Sequence, residues 1–339
     1  MKIFTFLLGL CSLVVHSQGL LPEVPVPKEN PMSAEKIELG KMLYFEPRLS
    51  VDGTISCNSC HNVMANGADG RAVGVGVKGQ RGDRKSPTVW NSAYNTVQFW
   101  DGRAESLEEQ AKGPLTNPVE MAMPSEQAVI DRIQQLDEYV DRFKKVFSLK
   151  KKKQITIDHV AKAIAAYERT LVTGDSPYDR FVKGDQKALS ASAQRGLKLV
   201  GEVGCTSCHS GPHFAGQGFE QGQGHFQMFP LIDSEYTEKY QLKKDLGRFN
   251  ETKKDEDKHM WRVPTWRNIA VTAPYFHNGS VKTLDEAVRV MAKTQLGQDL
   301  EKKQVEDIVA FLNSLTGEFP AQQMPRLPLS SGFTLTPDP

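Results

Sequence analysis

The chain has 339 residues, of which 39% are hydrophobic and 24% charged, and its formal net charge is +1. That length suits about two domains of ordinary globular composition. The near-zero charge excludes a chain built to bind a polyanion, so no nucleic-acid partner is expected.

Residues 1–18 read as a cleavable export signal. Lys2 gives a positive start, Ile3 to Val15 is mostly apolar, and Val15-His16-Ser17 offers small-residue cleavage positions near Ser17 or Gln18. The apolar run is shorter than the roughly 20 residues that span a bilayer. No later stretch is long enough either, so no membrane span is expected. Leu10 is too large to precede a lipid-modified Cys11. Cleavage would leave four cysteines and place the chain in the periplasm.

Residues 19–31 carry four prolines and read as an extended arm. Ser33 then caps a helix that runs to Phe45, with Ile37, Leu39 and Leu43 on its apolar face. Residues 62–98 are rich in Gly and Asn, show no lasting period, and read as a long loop. Within them Gly74-Val75-Gly76-Val77-Lys78-Gly79 spells a dinucleotide-binding word, but it joins no strand to a helix, so it carries no such meaning. One stripe follows at Val129, Ile133, Leu136, Val140, Phe143 and Phe147, and another at Val160, Ile164, Tyr167 and Leu171. Both have helical spacing. Lys150 to Lys153 between them read as a solvated turn. Residues 173–189 read as a junction. Ser190 caps the next helix, with Ala193, Leu197 and Val200 inward. Thr283-Leu284-Asp285-Glu286 spells a capping box. Val305, Ile308, Leu312 and Leu315 form the last stripe. Strand signals are sparse. The expected fold is mainly α: two domains packed together, over 19–178 and 179–320, with an extended tail over 321–339.

The chemistry is written in a repeated word. Cys57-Asn58-Ser59-Cys60-His61 and Cys205-Thr206-Ser207-Cys208-His209 are both Cys-x-x-Cys-His, 148 positions apart. This word attaches a c-type haem through two thioethers, with the histidine as an axial iron ligand. A zinc ribbon would place its two Cys-x-x-Cys knuckles roughly 15–20 residues apart. A thioredoxin-like site needs neither the histidine nor a second copy. Two covalently bound haem c groups are therefore expected, using all four remaining cysteines, one in each of two cytochrome c-like haem domains packed together.

Five further motifs follow these words in order. They are Phe99-Trp100-Asp101-Gly102-Arg103, Gln110-Ala111-Lys112-Gly113-Pro114, Asn117-Pro118-Val119-Glu120-Met121, Val263-Pro264-Thr265-Trp266-Arg267-Asn268, and Ala273-Pro274-Tyr275-Phe276-His277-Asn278-Gly279-Ser280. In that order and spacing the chain resembles the bacterial dihaem cytochrome c peroxidases. The broader family includes the dihaem enzymes that mature methylamine dehydrogenase. The resemblance runs from about Ser33 to Gly317.

The resemblance implies a periplasmic peroxidase that reduces hydrogen peroxide with electrons from a small cytochrome c or cupredoxin. It implies that the haem on His61 is peroxidatic, that Glu120 is the acid–base carboxylate, that Gln110 is a second pocket residue, and that Trp100 is the bridge between haems. It implies Met291, fourteen residues after His277, as sixth ligand of the electron-receiving haem on His209. A thioether ligand raises a haem's reduction potential, which suits an electron entry port. His277 is expected to be structural. A homodimer is also implied.

Two departures stand out. Many relatives carry a capping histidine sixteen residues after the first haem histidine, and that position here is Val77. No histidine occurs between His61 and His159. The first haem is therefore expected to be five-coordinate or water-bound, and active without reductive priming. Met64, Met121 and Met123 are the other nearby donors, but their spacing does not favour them. Relatives also bind calcium between the domains. Thr272 and Pro274 retain the carbonyls for that, but Lys85 stands where an asparagine ligand is expected. An ammonium repels a hard cation, which makes calcium doubtful. Two alternatives compete with the peroxidase: a maturase-like oxidase acting on a partner protein, which Met291 opposes, and a plain dihaem electron carrier, which Glu120 and Gln110 oppose.

Overall fold

The structure, a computed structural model, describes residues 19–330 and 334. The export signal expected over residues 1–18 lies outside the described residues. Twelve α-helices and two short strands are present among those described. The mainly helical architecture of two cytochrome c-like lobes, expected from the sequence, is the one observed.

The first lobe is built on α1 (Ala34–Tyr44) crossing α6 (Ile157–Glu168). Ser33 caps α1, its hydroxyl accepting from the Lys36 amide at 3.2 Å. α2 (Cys57–Cys60) is a single turn carrying the first haem word. α3 (Leu107–Thr116), α4 (Glu126–Gln134) and α5 (Asp137–Phe147) complete the lobe. Leu39, Leu43, Val129, Ile133, Val140, Phe143, Val160 and Ile164 meet in its core. The stripe from Val129 to Phe147 is split between α4 and α5, where one helix is the simplest reading. Leu136 has extended backbone at the break, and Asp137 and Glu138 begin a new first turn. Acids favour a helix N-terminus, while Leu136 still reaches the core.

The second lobe repeats this plan. After α7 (Pro177–Val182), α8 (Ala191–Val203) crosses α12 (Lys302–Asn313). The second haem word follows α8 directly as a 3₁₀ turn. Both crossings need a glycine. A Cβ on Gly40 would lie 1.8 Å from the Ala163 carbonyl oxygen, and one on Gly196 would lie 1.9 Å from that of Asp307. Between α8 and α12 come β1 (Phe226–Met228), α9 (Glu235–Lys239), α10 (Phe249–Thr252), β2 (Met260–Arg262) and α11 (Leu284–Leu296). β1 and β2 pair antiparallel, Phe226 opposite Arg262. The capping box predicted at Thr283 does not form. α11 starts there, but without a side-chain cap. Glu286 instead accepts from the Tyr240 hydroxyl at 2.5 Å and Lys239 at 3.0 Å.

A third cluster, built from the second lobe, is met by the first lobe at Trp100. Phe229, Leu242, Trp261, Tyr275, Val281 and Val290 form it, and Trp100 and Met291 pack against it. The lobes also share a charged seam. Arg84 pairs with Asp101 of its own lobe and with Asp245 of the other at 2.6 Å. Each terminal segment crosses to the opposite lobe. Phe319 and Leu327 pack on the first core, and Pro328 accepts from Arg48 at 2.9 Å. The Gly19 carbonyl accepts from Arg267 at 3.4 Å, and the Pro25 carbonyl from Arg169 at 3.3 Å.

Candidate active site

A cavity of about 520 Å³ opens beside the first haem word. Cys57, Cys60 and His61 border it, as do Trp100, Gln110 and Glu120. His61 Nδ1 lies 2.8 Å from the Pro87 carbonyl oxygen. A carbonyl can only accept, so Nδ1 carries the hydrogen and Nε2 keeps its lone pair. The turn that sets this geometry is short. The Ser56 amide donates to the Ser59 hydroxyl at 3.0 Å, and the His61 amide to the Cys57 carbonyl at 2.9 Å. Tyr44 donates to the His61 carbonyl at 2.7 Å. Burial lowers the His61 pKa against the opposing pull of the Pro87 bond, which keeps the ring neutral.

The opposite side of the cavity is set by two elements. α3 presents Gln110. The turn after α3 presents Glu120, whose Oε1 accepts from the Asn117 amide at 3.3 Å. Burial raises the Glu120 carboxyl, with Arg103 pulling the other way. The glycine-rich loop is clamped on this turn. The Val77 amide donates to the Glu120 carbonyl at 2.9 Å. A Cβ on Gly76 would lie 2.0 Å from the Val119 oxygen and 2.4 Å from that of Glu120. Thus the GxGxxG word serves close packing of backbone on backbone. Val77 is buried and does not line the cavity. His61 is the only imidazole among the lining residues. Met121 reaches the lining, Met123 is buried elsewhere in the core, and Met64 is exposed.

Trp100 connects this cavity to the seam. It borders the cavity and also packs in the third cluster with Met291. Its indole N–H donates to the Lys85 carbonyl at 2.8 Å, and the Lys85 amide donates to the His277 carbonyl at 2.8 Å. His277 is buried and stacks on Trp261 at 4.0 Å, and burial lowers its pKa to about 4. Lys85 is buried too. Its ammonium donates to the Asp69 carbonyl at 2.8 Å, and burial lowers its pKa to about 8 against the attraction of Asp69. The Thr272 hydroxyl donates to the Ile269 carbonyl at 3.1 Å, and Pro274 follows a cis peptide bond. Among the described residues no cluster of three or more His, Cys, Asp or Glu side chains forms a metal site.

At the second word, His209 Nδ1 lies 3.0 Å from the Phe214 carbonyl oxygen, so the same tautomer is selected. Burial lowers the His209 pKa to about 4 and pushes Cys205 up to about 11. Trp266 stacks on the His209 ring at 4.4 Å. Cys205, Trp266 and Val288 pack on the second core. Met291, half-buried, is one turn beyond Val288 on α11.

The residues present suit a haem at each word. Both imidazoles have a free Nε2 in a buried setting. The first cavity is also bordered by buried polar groups that lack protein partners: Glu168 Oε2 and Ser92 Oγ form no hydrogen bond. Arg262, also on the lining, has no carboxylate partner. The sequence reading missed these three. Glu168 directly follows the apolar run from Ala163 to Tyr167, a signal that was there to read. Ser92 and Arg262 have no such mark.

Comparison with known proteins agrees. Residues 34–187 match the family described as di-haem cytochrome c peroxidase. The chain is 44% identical to the cytochrome c551 peroxidase of Pseudomonas aeruginosa, over 95% of this chain and 92% of that one. It is 35% identical to the methylamine utilization protein MauG of Methylorubrum extorquens, over 90% and 85%. Among solved structures it resembles a MauG-like protein associated with microbial copper homeostasis, with a TM-score of 0.75, 29% identity, and coverage of 88% and 94%. With 44% of aligned residues shared across more than nine-tenths of both chains, this protein belongs to the di-haem cytochrome c peroxidase family.

Proposed function

We propose that this enzyme, a dihaem peroxidase, reduces hydrogen peroxide to water in the periplasm. Its electrons come from a small cytochrome c or cupredoxin. Two haem c groups are held by thioethers at Cys57 and Cys60 and at Cys205 and Cys208. The observation that carries this reading is the cavity at His61, which gathers Glu120, Gln110 and Trp100 and offers no second imidazole. That composition supports a peroxidatic iron open to peroxide without reductive activation.

The overall step consumes one peroxide, two electrons and two protons and yields two waters. A haem held by Cys57, Cys60 and His61 would supply an iron to bind peroxide and the electrons to reduce it. His61 holds its ring through Pro87 and offers Nε2 to that iron. Glu120 accepts the proton from one peroxide oxygen and returns it to the other, as a general base and then acid. Asn117 fixes Oε1, which leaves Oε2 for this transfer. The Gln110 amide orients the peroxide. Trp100 carries electrons from the second lobe, since it packs both in the cavity wall and in the cluster that takes Met291. Met291 would supply a thioether to the haem held at His209, which suits that site to a relay. The Lys85 ammonium supplies between the lobes the positive charge that calcium would otherwise bring, with Thr272 and Pro274 beside the same seam.

The relationship to MauG keeps oxidation of a partner protein as a second reading. Two measurements decide. In the as-isolated diferric protein, an EPR spectrum should contain a high-spin signal from the His61 haem. Two low-spin signals alone would refute the open site. Steady-state peroxide turnover with a reduced cytochrome donor then separates the peroxidase from the maturase.

A further inference from the structure

Several buried and half-buried arginines of this protein face an acid. Arg84 pairs with Asp245 at 2.6 Å, Arg169 with Glu108 at 2.7 Å, and Arg267 with Asp179 at 2.6 Å. Arg262 differs. It is 8% exposed and forms no ion pair among the described residues. Its Nε donates to the Phe99 carbonyl at 3.2 Å. Its Nη1 donates to Asn95 Oδ1 at 3.2 Å and to the Val263 carbonyl at 3.4 Å. Nη2 has no partner among the described residues. Burial lowers its pKa only to about 10, so the guanidinium stays charged at neutral pH. A buried, unpaired cation is costly, and this one borders the cavity at His61 although it comes from the other lobe.

A second partnerless donor lies beside it. The Ser92 hydroxyl is buried, has no hydrogen-bond partner, and borders the same cavity. The two are joined through Asn95, whose amide donates to the Ser92 carbonyl at 3.0 Å and whose Oδ1 accepts from Arg262. A fixed guanidinium edge and a hydroxyl on one cavity wall match a carboxylate, which accepts from both. Glu168, the other partnerless group on the lining, would compete as an anion, but its carboxyl is raised to about 8 by burial and remains protonated at neutral pH.

We propose that Arg262 and Ser92 form the cradle for a carboxylate of the haem carried by His61. This rests on the reading of that cavity as a haem site. The arginine thereby acts as a positioning residue. Its backbone N–H donates to the Trp100 carbonyl at 2.9 Å, so one residue of the second lobe fixes both the haem edge and the bridging tryptophan.

The test uses the holoenzyme and its variants Arg262→Gln, Arg262→Lys and Ser92→Ala. Haem content per chain is measured by absorbance of the pyridine complex, and the two midpoint potentials by spectroelectrochemistry at pH 7. A nearby cation favours the reduced haem. Arg262→Gln should therefore lower the potential of the His61 haem by at least a tenfold change in its reduction equilibrium, about 59 mV for one electron. Arg262→Lys should recover most of that shift, and Ser92→Ala should give a smaller shift of the same sign. If Arg262→Gln fails to hold the first haem but keeps the second, the cradle is equally supported, and Arg262→Lys supplies the potential. An unmoved first potential at full haem content, or a shift confined to the His209 haem, overturns the proposal. A wild-type protein without haem at the first word would instead overturn the functional reading beneath it.

Discussion

Replacing Glu168 with glutamine should stabilise the protein increasingly as pH rises from about 4.5 to about 8 and leave it unchanged in stronger acid. Glu168 ends α6 and is 6% exposed, with Oε2 unpaired. Its neighbour Arg169 gives its guanidinium to Glu108 at 2.7 Å, so the adjacent cation is already engaged. Burial raises the carboxyl from the ordinary 4.5 to about 8, Arg169 pulling it down and Glu108 pushing it up. Tyr44 of α1 and Cys57 of the haem turn face it, and neither brings a positive charge. The sign follows from the direction. A carboxyl that holds its proton more tightly in the fold than in the unfolded chain contributes its full stability below about 4.5. That contribution is lost as pH climbs toward about 8. At about 1.36 kcal/mol per pH unit, the loss reaches a ceiling of about 5 kcal/mol. Relaxation around the charge reduces this, so a gain of about 2–3 kcal/mol for Glu168→Gln at pH 8 is expected. Urea unfolding of wild type and variant holoprotein at pH 5, 6, 7 and 8 measures it. The two should lie closest at pH 5 and diverge steadily toward pH 8. A constant difference across that range would refute the buried neutral acid.

Two further substitutions probe the cavity wall. Glu120→Gln should lower kcat for peroxide by about 10²–10⁴-fold while haem content and the resting spectrum stay the same. Because burial raises this carboxyl, the acid limb of kcat/KM should sit above the usual carboxylate range in wild type and vanish in the variant; a retained limb would assign it to another group. Gly76→Ala forces a methyl against the Val119 and Glu120 carbonyls. It should cost about 1–3 kcal/mol and weaken turnover at unchanged haem content, read by urea unfolding and steady-state assay together. Wild-type values in both would show that the clamp is loose.

Much of this molecule could be read before its fold was known, because its signals are local. Ser33 and Ser190 cap the helices expected of them. The haem words sit on the turns that follow, and Trp100, Gln110 and Glu120 meet His61 on one cavity. What escaped was non-local. Thr283 and Glu286 have capping-box spacing, but Tyr240 and Lys239, more than forty positions away, claim the glutamate. Arg262 is one cation of 42 in the chain. Nothing in its neighbours reveals that it enters the other lobe without an acid. The stripe from Val129 to Phe147 kept its period through a helix break, because burial sets the period and Asp137 and Glu138 set the break.

The crossed termini have a consequence for how the two lobes can be separated. The arm from Gly19 to Pro25 runs from Arg267 of one lobe to Arg169 of the other, and the segment from Phe319 to Pro328 returns to Trp90 and Arg48. Each lobe is therefore closed in part by chain that belongs in sequence to its counterpart. Cutting the gene between the lobes would give two fragments that each lack a piece of their own surface and carry a piece of the other's. Within one chain, those pieces dock at the high effective concentration that tethering provides. The mutual placement of the two lobes is in this sense written into residues 19–25 and 319–328, far in sequence from the seam they help to hold.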